Sequence, residues 1–409
     1  MKDKIKTEFE NRLKHLLKTK LSSGNLIKAI NVYAISALSY SFGLIKWSET
    51  DLDALERRVR TTMTSRRYHH PGAAKERLCL SRTEGGQGVI DIHNLHHKQV
   101  ENLRRYFYER ADIDNRYEIL VHVDRNYTPL NLNVIEFQPI SQIRNSTDVI
   151  DLWKQKPIHG KYPHYLGLPC TDKEASTIWL KKGELFPETE GFIMAIQDEV
   201  ISTRQYQRAI LHQDISSTCR RCHQTAESID HIINGCSTLA SSDYLSRHNN
   251  VAKIIHQELA FRCQFIDIKT PYYRYQPNDV LLSSAFKLYW DRIMTTDHTI
   301  MANRPDIIWI DKLNRKGFLI DIAVPLSSNA SRTFAEKIAK YVELAHEIKA
   351  REKLKEVRVV PIIISSTGIF AKTVTEELKN IGCQQLIHEI SKSVILSTCR
   401  IVRKFLQQS

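Results

Sequence analysis

Asp306 and Asp321 are two carboxylates separated by fourteen residues, each next to aliphatic side chains in an otherwise apolar stretch. Residues 307–310 read as a strand, 312–317 as a turn and 318–324 as a second strand, so the two acids fall on adjacent strands of one hairpin. A carboxylate set among Ile and Leu on an inner strand is costly unless a cation sits beside it. The pair is therefore a candidate seat for a divalent metal ion, the competing reading being two exposed acids close to a turn. Further on, Phe334, Ile338, Tyr341, Ala345 and Ile348 recur at helical spacing and predict one buried face, with Lys337 and Lys340 beside it. Two acids, a lysine and a divalent ion make a set for phosphodiester cleavage: the ion binds a phosphate oxygen and acidifies water, and the lysine stabilises developing negative charge. A solvated helix face explains the lysines equally well, because Glu336, Glu343, Glu347 and Lys349 share the segment.

A second group is independent of the first. Cys219, Cys222, His231 and Cys236 form a C-x2-C-x8-H-x4-C array in a polar stretch. Three thiolates and one imidazole make a closed tetrahedral zinc site with no position left for a reacting water. Disulfides are the rival, but the N-terminus is unlike a signal peptide and a chain of this size needs no staples. Cys79, Cys170, Cys263, Cys383 and Cys399 are scattered among apolar neighbours and read as buried free thiols. His248 and His256 lie downstream on a predicted helix, and their spacing fits surface or packed histidines better than ligands.

These residues need elements to hold them. At 409 residues, 42% hydrophobic and 26% charged, the chain has room for two or three domains, each with its own core. The net charge is +13, and residues 1–110 carry 21 Lys/Arg against 12 Asp/Glu, which favours a polyanionic partner. No apolar run approaches the length of a membrane-spanning helix. Residues 5–20 and 26–45 read as helices, and Ser48 or Thr50 can cap a third whose buried face is Leu52, Leu55, Val59 and Met63. Arg57, Arg58 and Arg60 lie off that face, with Arg66 and Arg67 just beyond it. Residues 85–88, with three glycines, predict a sharp turn into a strand and lack the Lys-Ser/Thr of a phosphate-binding loop. Short helices are expected over 111–205. The aromatic and basic runs at 272–275 and 287–292 suit packing or base stacking, and Asp291 is a loosely expected third acid from a preceding helix. Residues 357–364 predict a further core strand, and Ile390, Val394, Ile401 and Phe405 a closing amphipathic helix with Arg400, Arg403 and Lys404 on its polar side.

The set Arg304, Pro305, Asp306, Asp321, Lys337, Lys340 and Tyr341 resembles the restriction-like endonuclease at the C-terminus of site-specific non-LTR retrotransposon polyproteins. The wider PD-(D/E)xK pattern has a lysine two residues after its second acid, where this chain has Ala323; in the retrotransposon branch that lysine is similarly displaced to the following helix. The Cys3His array resembles the zinc knuckle upstream of that nuclease. Residues 30–40, 43–47, 70–71 and 82–88 resemble the reverse-transcriptase thumb and its adjoining segment. A Tyr-x-Asp-Asp or Ala-Asp-Asp box is missing from the sequence, so a polymerase palm is not expected.

The resemblance spans nearly the whole chain and implies a multidomain, mainly α protein. Its parts would be a thumb-like helical domain (1–110), a helical linker (111–205), a CCHC knuckle (206–265) and an α/β nuclease (266–409). It implies metal-dependent nicking of target DNA, with magnesium or manganese on Asp306 and Asp321, charge from Lys337 or Lys340, Tyr341 positioning one of them, and structural zinc on Cys219, Cys222, His231 and Cys236. Arg57, Arg58, Arg66, Arg67, Arg220, Arg221 and Arg304 would meet nucleic acid: the DNA target, and element RNA or an RNA–DNA hybrid. The setting would be nuclear, with no membrane and no reverse-transcriptase activity from this chain alone. Met1 as a true start and Met1 as a break in a longer reading frame are both compatible with this. A zinc-dependent binding protein that holds nucleic acid without cutting it, and an inert relic, are the alternatives.

Overall fold

A computed structural model describes residues 1–135 and 143–407. The protein is mainly helical and divides into two compact units, one of residues 1–163 with 184–200 and the other of 164–183 with 201–409. The stretch expected as a linker, 111–205, is divided between the two units.

In the first unit, Phe9 and Leu13 from the helix Lys2–Leu16 meet Ile27, Ile30, Ala34 and Leu38, and all of these pack on Leu52, Leu55, Val59 and Met63. The last four are the buried face of the helix Glu49–Ser65, as the spacing predicts. That helix begins at Ser48, whose side chain accepts from the Asp51 N–H while the Asp51 carboxylate accepts from the Ser48 N–H, a reciprocal capping box. The predicted helix over 26–45 is interrupted: Ser23–Ala29 runs into wider π-type turns at Ile30–Ile35 before Ser36–Ser39. The glycine-rich segment is a turn, but no strand follows it; the helix Ile92–Ala111 does. A Cβ on Gly86 would stand 2.1 Å from the Leu80 carbonyl oxygen, which explains why glycine is needed there. Residues 184–200 are fastened to this unit by buried charges. Arg77 pairs with Asp198 at 3.1 Å, both fully buried, and Ser23 donates to Glu190 at 2.6 Å.

The second unit is built on a five-stranded sheet in the order β2 (Val280–Leu282), β3 (Phe286–Trp290), β4 (Ile307–Asp311), β5 (Lys316–Ala323) and β6 (Glu356–Ile363). The first four strands form an antiparallel meander, and β6 runs parallel to β5 after a crossover through the helix Ala330–Arg351. A separate two-stranded ladder joins β1 (Thr171–Asp172) to β7 (Phe370–Ala371). All five residues of β4 are buried because both faces of the sheet are covered. On one face Ile308, Ile310 and Leu319 pack against Tyr341, Leu344, Ala345 and Ile348 of the crossover helix. On the other, Ile307, Trp309, Phe318, Ile320 and Ile362 meet Val251, Ile255 and Leu259 of the helix Leu245–Arg262, and Val394 of the helix Ile387–Gln407. Trp309 and Phe318, opposite one another across β4 and β5, stack with ring centroids 4.9 Å apart.

The hairpin, the strand at 356–363 and the closing helix lie where the sequence predicts them. The crossover helix is rotated from the expected face: Leu344 is fully buried, whereas Ile338 is 38% exposed. Leu344→Ala should therefore destabilise the unit by about 2–5 kcal/mol and Ile338→Ala by well under half of that, read from urea midpoints at constant slope.

Candidate functional site

The register of the hairpin decides where its acids go. Ile307 pairs with Ile320 and Trp290 with Ile307. One step beyond the ladders, Asp306 stands opposite Asp321 and Asp291 opposite Asp306, and the Asp291 N–H donates to the Asp306 carbonyl at 2.8 Å. Three acids form a row across three neighbouring strands at one end of the sheet. Asp291 belongs to the end of β3, not to a helix as expected, and its carboxylate is engaged by both arms of Arg304 at 2.8 and 2.7 Å.

Asp321 is two residues past Leu319 on β5, over the crossover helix, and is 2% exposed. Lys337, on the second turn of that helix, ion-pairs with Oδ2, and the Tyr341 hydroxyl lies 2.8 Å from Oδ1 and 3.1 Å from the Arg304 carbonyl. Lys340 reaches the Tyr341 oxygen at 2.9 Å, so it touches the acid only through the phenol. Burial raises the Asp321 pKa and the neighbouring Asp306 charge adds to this, while Lys337 and the Tyr341 hydroxyl pull it back. Burial, and then the Asp321 charge, raise the Tyr341 pKa, keeping the phenol a donor.

Asp306 is held from the opposite layer. Its Oδ2 accepts from the Ile322 N–H at 2.6 Å, and Nε2 of His248, on the helix Leu245–Arg262, lies 3.1 Å from the same oxygen and 3.0 Å from the Ile322 carbonyl. Burial opposes the charged form of His248, but the hydrogen bond and charge of Asp306 outweigh it, and its pKa rises to about 9. His256, about two turns further along the same helix, is fully buried with Nδ1 2.8 Å from the Tyr275 hydroxyl, and burial brings its pKa down to about 4. Of the two histidines, His248 belongs to the acid site and His256 to the core. The spacing of neither on its own helix distinguishes them.

The arrangement offers a cation two carboxylates on neighbouring strands. A hard divalent ion that prefers oxygen ligands suits this donor set.

Cys219, Cys222, His231 and Cys236 also come together, with one ligand atom from each within 4.8 Å of the others. This cluster could hold a metal such as zinc. The Arg221 N–H points to the Cys219 sulfur at 3.4 Å, and the Thr225 hydroxyl contacts His231 Nδ1 at 2.9 Å, leaving Nε2 for a metal.

The candidate phosphate contacts divide. Arg57, Arg58, Arg66 and Arg67 are exposed, with Arg58 paired to Glu10 at 2.8 Å. Arg220 faces inward instead: its fork holds the buried carboxylate of Glu227 at 2.9 and 2.8 Å. Arg221 lies over the Phe405 ring, 5.6 Å from its centroid. The Arg304 pair with Asp291 is half-exposed and easily exchanged for another anion.

Lys337→Ala should lower any metal-dependent nicking by about 100-fold or more, and Lys340→Ala by about tenfold or less, measured as single-turnover rates on supercoiled DNA. Cys222→Ser should lose the one equivalent of zinc that native mass spectrometry is expected to find. No protein-family model and no curated protein matches the chain.

Proposed function

We propose that this chain is a metal-dependent DNA endonuclease that nicks a target site, corresponding to the C-terminal part of a site-specific non-LTR retrotransposon polyprotein without its polymerase palm. The observation that carries this reading is the convergence of Asp306, Asp321, Lys337 and Tyr341 at one end of the sheet. A buried acid opposite a second, partly exposed one is destabilising without a cation, and a lysine beside them suits a negatively charged substrate.

Asp306 and Asp321 would hold magnesium or manganese. When bound, such an ion supplies Lewis-acid polarisation of the scissile phosphate and acidifies water. Lys337 would place its ammonium against the charge that develops on the attacked phosphate, and Tyr341 keeps Asp321 and Lys340 in place. The product would be a nick with a free 3′ hydroxyl, suited to priming reverse transcription by a polymerase supplied elsewhere. In the same reading 1–110 is thumb-like and its exposed arginines grip the backbone of an RNA–DNA hybrid without reading sequence. The Cys3His cluster is a zinc knuckle, and the site of action is the nucleus.

Asp306→Ala should abolish magnesium-dependent nicking of supercoiled plasmid while leaving zinc content and salt-dependent DNA binding intact. Nicking at the wild-type rate would remove the assignment. Binding without nicking in the wild-type protein would favour a zinc-dependent nucleic-acid-binding protein instead.

A further inference from the structure

His248 is 58 residues from Asp306 in sequence, on a helix that covers the opposite face of the sheet from Lys337 and Tyr341. Its first turn is nevertheless tied to the sheet end that carries the acids. The neighbouring Arg247, 1% exposed, donates to the Val324 carbonyl just past β5 at 3.4 Å, and Asn234, between His231 and Cys236, donates to the same carbonyl at 2.6 Å. Both atoms facing Nε2 of His248, a carboxylate oxygen and a carbonyl oxygen, can only accept, so that nitrogen carries a proton. The Ile322 N–H donates to the same carboxylate oxygen. Two donors thus converge on Oδ2 of Asp306, and Oδ1 is left for a cation.

We propose that His248 is a positioning residue of the acid pair: its Nε2–H fixes the Asp306 carboxylate so that the oxygen it does not hold can share a divalent ion with Asp321. The inference rests on the metal-dependent reading above. A carboxylate that must rotate into place binds an ion less tightly than one already oriented, and outer hydrogen-bond partners of metal ligands carry a substantial part of the affinity. A neutral ring protonated at Nε2 makes the same bond, so the role depends on the donor and not on the charge of the ring.

The test uses the full-length, zinc-loaded protein and manganese as probe, with bound ion read by electron paramagnetic resonance. His248→Phe keeps the ring volume and removes the donor, whereas His248→Gln keeps an N–H at similar reach; retained zinc and circular dichroism report folding. Site-bound manganese should disappear in Asp306→Ala, its dissociation constant should rise about tenfold or more in His248→Phe, and His248→Gln should stay within about threefold of wild type. The manganese concentration giving half-maximal nicking should move by the same factors, with a smaller change in the rate at saturation. Manganese affinity in His248→Phe equal to or tighter than wild type, or His248→Gln as weak as His248→Phe, overturns the role of His248 while leaving the acid pair. Equal manganese binding by wild type and Asp306→Ala overturns the acid pair itself, and the role of His248 with it.

Discussion

A carboxylate on an inner strand sets the terms for the second unit. Asp321 is almost wholly enclosed, faces another acid across the hairpin, and must be compensated or expelled. Compensation of the pair comes from three directions: for Asp306 the strand itself through the Ile322 amide and the helix on one face through His248, and for Asp321 the helix on the other face through Lys337 and Tyr341. Each donor is held by a different layer, so the acid pair keeps its geometry only while both faces of the sheet stay covered. The apolar packing of Leu344 and Ile348 below, and of Val251 and Ile255 above, thereby serves the polar end of the sheet as well as the core.

Much of this was legible in the sequence wherever one local period decides the outcome. The hairpin, its turn, the crossover helix and the Cys3His spacing each rest on repeats of a few residues, and each lies where the pattern puts it. The alternation that sets Asp306 across from Asp321 also follows from counting residues through the turn. Nonlocal choices were not legible. The helix Leu245–Arg262 offers both His248 and His256, and only its docking against the sheet decides that the first meets a carboxylate and the second a phenol. Arg220 looked like a surface cation until Glu227, seven residues on, folded back beneath it. Ile338 and Leu344 both fit an apolar stripe; the helix rolls toward Leu344, which also allows Tyr341 to reach Asp321.

The first unit solves a similar problem with a different residue. Arg77 is sealed beneath Trp153 and Tyr162, 5.1 and 4.8 Å from their ring centroids, and satisfies its guanidinium on Asp198, Gln197 and the carbonyls of Gly85 and Met194. The glycine turn at 85–88, predicted as a structural turn and not a phosphate-binding loop, thus receives an internal cation on its Gly85 carbonyl. Burial nevertheless raises the Asp198 pKa, with Arg77 working against it. An enclosed pair of this kind is weak evidence for net stability, but removing one partner strands the other.

Neither unit is a contiguous length of chain. Residues 184–200 return to the first unit after 164–183 have joined the second, where Asp172 pairs with Phe370 and Ser176 accepts from the Phe370 N–H at 2.9 Å. During synthesis the ribosome therefore delivers Trp179, fully enclosed in the finished protein, nearly two hundred residues before its surroundings exist. Until then the helix Lys173–Lys182 has the face that carries Ala175, Trp179 and Leu180 uncovered, an invitation to chaperones and to self-association. Cutting between the units would strand the same helix, so a fragment beginning at residue 201 would lack one wall of the layer that the helix Ile387–Gln407 completes.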